Sequence, residues 1–237
     1  MLDILAIGAH PDDVEIGCGG TLLRHIAAGY KVGIIDLTEG ELGTRGDAKT
    51  RRREAKEAAA LLGVAVRENL KMRDGYIQND EEQRLKLIQA IRRYKPAIVI
   101  GNAYHDRHPD HGQAADLVRD ACFLAGLPKI ITRYKGKLQE AHRPGAVYHY
   151  IQAIHLEPDF VVDITPFMEQ KLKVLAAYRS QFYHPGNTGP VTFISTPEFM
   201  EFIKGRALHF GIPAGVTYAE GFTASRTIGV KNLCELF

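Results

Sequence analysis

Residues 2–13 read LDILAIGAHPDD, and residues 97–111 read AIVIGNAYHDRHPDH. Each opens as a short apolar run, the pattern of a strand buried between two layers. Each then passes into a polar turn containing His-Pro-Asp: His10-Pro11-Asp12-Asp13 directly after the first run, His108-Pro109-Asp110-His111 a few residues beyond the second. Strand-like and helix-like segments alternate around them. Gly19–Ala28 has helical spacing closed by Gly29, and Lys31–Leu37 reads as a second strand. Asp47 can N-cap a helix to about Leu62, with Gly63 at its C-terminus. A short strand is expected near Asn69–Met72, and Asp80 can cap a helix running to about Tyr94, before Pro96. His111–Ala125 is helical again. Such alternation specifies an α/β fold: Rossmann-like and doubly wound, with a mostly parallel sheet and helices on both faces.

The second half is less regular. Ala146–Leu156 and Phe160–Ile164 read as strands, and Pro166–Phe182 as an amphipathic helix with proline at its first position. A Gly- and Pro-rich loop follows at Tyr183–Pro197, then a helix over Glu198–Phe210. No repeat or linker divides the halves, so residues 1–237 are expected to form a single domain.

Thirty basic and 28 acidic residues nearly cancel. That balance leaves no electrostatic footprint for nucleic acid or an anionic membrane, so neither is expected as a partner. Cys18, Cys122 and Cys234 are odd in number and widely spaced. They suggest no disulfide framework and no CxxC metal site, which fits reduced thiols and a cytoplasmic location. The N-terminal run contains Asp3 and has no basic region before it, unlike a signal peptide. No stretch approaches the roughly 18 apolar residues of a membrane span.

Ligand sites in doubly wound sheets lie at the carboxyl ends of the strands, where strand order reverses. Both His-Pro-Asp turns sit at such ends, and the two strands are natural neighbours across that reversal. Imidazole and carboxylate suit zinc, which in catalytic sites keeps three protein ligands and an open position. Three histidines and three aspartates exceed that count, leaving groups free for acid–base work. A lone His-Pro-Asp at a strand end is usually only a capped turn; two of them together point to a metal site. Glycines 17, 19 and 20 lack the GxGxxG spacing and its acidic ribose partner, which argues against dinucleotide binding. Cys18 among those glycines reads as tight packing, since no base is placed for a nucleophile. His105, His142, His149, His155, His184 and His209 have no motif around them and read as structural or exposed.

On AHPDD (Ala9–Asp13), TEGELGTRG (Thr38–Gly46), the Arg-rich helix start at Arg51 and DRHPDH (Asp106–His111), the chain resembles the LmbE-like (PIG-L) N-acetylglucosaminyl deacetylases. A weaker likeness recurs in YAEGF (Tyr218–Phe222). Within that family the pattern is most similar to the bacillithiol-biosynthesis deacetylases acting on N-acetylglucosaminyl-malate. The resemblance implies His10, Asp13 and His111 as ligands of Zn2+, or of another divalent metal such as Fe2+. It implies Asp12 as general base, and His108, with Asp110 behind it, at the developing oxyanion or the leaving amine. It implies Arg51 and Arg143 as substrate-binding arginines, a small amino-sugar conjugate as substrate, and a homo-oligomer. A solvent-facing Arg51 is the plain alternative. Two other readings remain at this point: an amidase of a larger sugar–thiol conjugate, and a non-catalytic sugar-binding module, which would have no need of a free Asp12.

Overall fold

In the computed structural model the described residues are 1–186, 189–230 and 232–235; positions 187 and 188 of the expected Tyr183–Pro197 loop lie outside them. The first half folds as β1 (Ile4–Gly8), α1 (Asp13–Ala27), β2 (Val32–Thr38), α2 (Ala48–Leu62), β3 (Val66–Met72), α3 (Glu81–Tyr94), β4 (Ile98–Gly101) and α4 (Pro109–Ala125). A small hairpin follows, β5 (Arg133–Tyr134) and β6 (Lys137–Leu138). Then come β7 (Ala146–Tyr150), β8 (Phe160–Asp163), α5 (Met168–Ala176), α6 (Pro197–Gly211) and β9 (Ala219–Ala224). Seven strands make one sheet in the order β3-β2-β1-β4-β7-β9-β8. Strands β1 to β4 and β7 pair in parallel, while β9 runs antiparallel to both β7 and β8.

Alternation along each strand splits the core in two. Ile4, Ala6 and Ile34 pack under α1, α2, α5 and α6. Leu5, Ile7 and Ile35 face the other way, against α3 and α4. The expected caps form: Asp47 accepts from the Thr50 amide at 2.7 Å, and Asp80 from the Gln83 amide at 2.8 Å. Gly63 ends α2 at φ +81°, a conformation that is cheap only for glycine. Strand order reverses between β1 and β4, so both His-Pro-Asp turns open onto one crevice.

The structure corrects several boundaries. Helix α1 begins at Asp13, not Gly19, and is bent at Cys18, whose φ of −142° is not helical. The break frees the Ile16 carbonyl, which accepts from Lys171 Nζ at 2.8 Å and Arg206 Nη2 at 2.9 Å. Beyond the break, the Gly20 and Thr21 amides donate to the Glu220 carboxylate, which acts as a cap from 200 positions away. A Cβ on Gly17 would lie 2.1 Å from the Tyr150 ring, so the glycine run reflects close packing. Strand β7 stops at Tyr150 because the next residues turn toward the crevice. The helix expected over Pro166–Phe182 ends at Ala176, where i→i−3 bonds tighten the chain and bury Tyr178 and Phe182. YAEGF becomes most of β9, inserted between β7 and β8. Neither that pairing nor the β5–β6 hairpin was expected from local pattern.

Candidate active site

Two turns bring three histidines together. His10 follows β1 and His108 N-caps α4, with His111 in its first turn. Their ring centroids lie 4.5 Å (His10–His108), 5.0 Å (His108–His111) and 5.6 Å (His10–His111) apart. One nitrogen of each comes within 4.8 Å of the others, a spacing that could hold a metal ion. Asp13 joins the outer two: its Oδ1 is 3.2 Å from His111 Nε2, and its Oδ2 is 3.4 Å from His10 Nδ1. Imidazoles and a carboxylate converging in this way fit a divalent transition metal, zinc included.

The donors are themselves held by partners behind them. Asn102 and Gln152 donate to Asp13 at 3.1 and 3.0 Å, and Asn102 also accepts from the Ala9 amide at 2.9 Å. His111 Nδ1 is 2.5 Å from Asp106 Oδ2, and the other Asp106 oxygen accepts from the amides of Ala153 and Ile154. His10 Nε2 is 2.9 Å from Asp74 Oδ1 and 3.4 Å from Asp110 Oδ2. Sequence reasoning missed Asp74, Asp106, Asn102 and Gln152 as site residues. Asp106 and Asn102 lie within residues 97–111, between β4 and the second His-Pro-Asp turn, and Asp74 sits just past the end of β3, a position as telling as that of His10. Gln152 carried no signal, because only folding brings it to Asp13.

Electrostatics follow from burial and these pairs. Burial works against a charged His10, yet Asp110, Asp13 and Asp74 outweigh it and raise its pKa well above the usual imidazole value. His111, likewise against burial, is raised to about 9 by Asp13 and Asp106. His108 goes the other way: burial first, then the two neighbouring imidazoles, lower its pKa. Its Nδ1 accepts the Asp110 amide at 3.2 Å, which leaves the neutral ring its proton on Nε2. The Asp110 carboxylate is elsewhere, accepting from the Gly75 amide at 2.8 Å beside His10. Asp110 therefore supports His108 through its backbone and His10 through its side chain, in place of the expected His108–Asp110 carboxylate pair.

Asp12 stands apart from the donors. It adopts φ +108°, a strained conformation for a non-glycine residue. Burial pushes its pKa up to about 7, against the pull of Arg51. Its Oδ2 is buried without a hydrogen bond among the described residues. Arg51 is buried rather than solvent-facing, with Nη2 donating to the Pro11 carbonyl at 2.5 Å and lying 3.3 Å from Asp12 Oδ2. It lines the crevice while holding the strained turn. Arg143 is not there: it donates to the Phe123 carbonyl and lies over the Phe123 ring at 4.3 Å, at the far end of α4. Its expected place in substrate binding is corrected on that ground, since β6 and the following loop return to the opposite end of the sheet.

The cavity over these residues measures about 300 Å³. Its walls include Gln152, Gln181, Phe193, Phe199 and Arg206 from the second half of the chain. Among the described residues no helix is long and apolar enough to cross a membrane.

Comparison with known proteins bears on the family and the fold. Residues 5–122 match the family model described as PIG-L: GlcNAc-PI de-N-acetylase. Diacetylchitobiose deacetylase of Thermococcus kodakarensis is 31% identical, over 92% of this chain and 81% of that one. The 4-oxalmesaconate hydratase of Pseudomonas putida is 27% identical, over 75% of this chain and 73% of its own length. The crystal structure of the conserved protein TT1542 from Thermus thermophilus superposes with a TM-score of 0.87 at 39% identity, covering 98% of each chain. With residues 5–122 matching that family model and a deacetylase relative 31% identical over 92% of this chain, the chain belongs to the PIG-L (LmbE-like) family of de-N-acetylases.

Proposed function

We propose that this protein is a metal-dependent hydrolase that removes the N-acetyl group from an N-acetylglucosamine conjugate, with N-acetylglucosaminyl-malate, a bacillithiol precursor, as its substrate. The observation that carries the reading is Asp12. A buried carboxylate raised to about 7, without a hydrogen bond on Oδ2 among the described residues, beside a gathered set of metal donors, has a use where a proton must move. A pure binding protein would gain nothing from that strain and burial. The name of the Thermococcus relative supports amide hydrolysis of an N-acetylated sugar.

His10, Asp13 and His111 would hold the metal, zinc or another divalent ion such as Fe2+. When bound, such an ion supplies Lewis acidity toward the amide carbonyl and toward water. The chain's own residues do the rest. Asp12 accepts the proton of the attacking water as the water oxygen adds to the acetyl carbon. The Nε2–H of neutral His108 donates to the oxygen on which negative charge grows. The carbon–nitrogen bond then breaks, and the proton held on Asp12 passes to the departing amine, leaving acetate and a free amino sugar. Arg51, through the Pro11 carbonyl and the Asp12 carboxylate, holds the base in place.

The hydratase relative shows that likeness at this level spans a different reaction class, so the test must read the product. Wild-type protein loaded with zinc is incubated with N-acetylglucosaminyl-malate, N,N′-diacetylchitobiose and methyl N-acetylglucosaminide, with and without chelator. Release of acetate and primary amine that chelator abolishes is the expected result. Binding of these sugars without amine release, or release that chelator leaves untouched, overturns the reading.

A further inference from the structure

A second cavity adjoins the catalytic one. It measures about 340 Å³ and is lined by Ala153, His155, Phe202, Gly205, Arg206 and His209. Ala153 and Arg206 line both cavities, so a molecule leaving the catalytic crevice on that side passes over Arg206. The floor is mostly carbon: the Phe202 ring, and Gly205, at which an added Cβ would meet nothing within 4 Å. His155 and His209 stand edge-on with ring centroids 5.0 Å apart.

Arg206 is the unusual member. Its Nη2 donates to the Ile16 carbonyl freed by the bend in α1. Its Nη1 is buried with no hydrogen-bond partner among the described residues. Glu220, the carboxylate that acts on it most strongly, is already taken by Lys171 and by the Gly20 and Thr21 amides. Asp106, which acts on it less, is held by His111. A guanidinium with a buried spare donor and no carboxylate of its own is costly unless something anionic completes it.

The other arginines of the catalytic cavity have contacts of their own, as Arg206 has with the Phe202 ring at 5.4 Å. Arg45 donates to the carbonyls of Ser180 and Pro190. Arg51 holds Pro11 and Asp12, and its Nε is buried without a partner among the described residues. Arg107 lies over the Phe193 ring at 4.4 Å. We infer that the second cavity is the subsite for the part of the substrate beyond the acetylated sugar, and that Arg206 there binds a carboxylate on that part. The inference rests on the deacetylase reading above and moves the recognition of an acidic aglycone from Arg51 to Arg206. A planar fork suits a carboxylate, and malate is the acidic aglycone of the substrate proposed above.

The test compares kcat/KM for N-acetylglucosaminyl-malate with that for methyl N-acetylglucosaminide, so each variant is read as a ratio on one folded, metal-loaded protein. Wild type is expected to favour the acidic conjugate. Arg206→Met should lower the ratio by about 10-fold or more, the size of a lost hydrogen bond to a charged group. Arg206→Lys should restore part of it. Because Arg206 also supports the bend in α1, a second variant leaves it in place. Gly205→Phe fills the cavity from a helical position where replacing glycine is favourable, and should lower the ratio by raising KM for the acidic conjugate. A wild-type ratio near one, ratios unmoved in both Arg206→Met and Gly205→Phe, or a collapse seen instead in Arg107→Ala overturns the subsite. If wild type deacetylates the methyl glycoside with any of these results, only the subsite falls. If it releases amine from neither substrate, the deacetylase reading falls with it.

Discussion

The two halves of the sheet do different work. The parallel half, β1 to β4 with α1 to α4, supplies every group assigned to chemistry: His10, Asp12, Asp13, Asp74, Asp106, His108 and His111. The half built from β7, β8 and β9 with α5 and α6 supplies walls and supports: Gln152 behind Asp13, Phe193 and Phe199 around the crevice, Lys171 and Glu220 at the bend of α1. Parallel strands end on one edge, so their turns converge on a single point. Strand β9, antiparallel and inserted between β7 and β8, brings no turn to that point and serves to brace α1. Substitutions in the first half should therefore act on turnover of every substrate, and those in the second on selectivity and stability.

The sharpest way to break this division is Asp12→Asn. Asparagine keeps the shape but is a poor base, so turnover on neutral and acidic conjugates alike should fall by about 10²–10⁴-fold. Metal content, read by elemental analysis, should stay at the wild-type level. Normal turnover with metal in place would remove Asp12 from the chemistry.

In the second half, His149 should show itself through pH and not through rate. It is fully buried on β7, with Nδ1 2.6 Å from the Asn102 carbonyl oxygen and Nε2 without a partner among the described residues. Burial lowers its pKa to about 4. Unfolded, the ring would titrate near its ordinary value of about 6.5. The unfolded chain therefore binds the extra proton first as pH falls. The stability His149 contributes is fully present above about pH 6.5 and drains away toward pH 4, by about 3 kcal/mol in all. Denaturant midpoints of wild type and His149→Gln, measured across that window, should converge toward its acid end. Parallel curves would show that the ring is not buried neutral.

Asp106→Asn returns to the first half with a smaller effect. Asp106 fixes the ring of His111 from behind, and loss of such a partner typically costs about 10–100-fold in metal affinity. Competition with a chromogenic chelator measures it. Unchanged affinity would mean that His111 is held, or the metal bound, by other groups. Smallest of all should be Arg143→Ala. With the side chain on Phe123 and away from the crevice, turnover should be unchanged and stability should move by no more than about 0.5 kcal/mol. A marked loss of activity would reinstate it as a substrate contact.

How much of this was legible beforehand differs between the halves for the same reason. In the first half, apolar runs of strand length ending in His-Pro-Asp, with caps at Asp47 and Asp80, are local patterns, and local patterns survive folding. They gave the doubly wound class, the switch point and the donors. Asp106 and Asn102 lay inside that reach and were passed over. In the second half the decisive contacts join residues far apart. Glu220 caps α1, Gln152 turns to Asp13, and Arg206 finds the Ile16 carbonyl, so no window of sequence contains both partners. Arg51 and Arg143 mark the same boundary, for the family resemblance offered both as contacts and only their surroundings separated them.

From the residues alone came the layer order, the crevice and the chemical character of its donors, because strand period, capping and turn chemistry are properties of neighbours along the chain. Tertiary structure alone decided which carboxylate faces which imidazole, that Asp12 is buried in a left-handed turn, and that Arg206 lies between two cavities with one donor unpaired among the described residues. Those outcomes depend on burial and on pairings across the fold. Burial sets the cost of each charge and pairing decides how far that cost is offset, and neither is written in any single stretch of sequence.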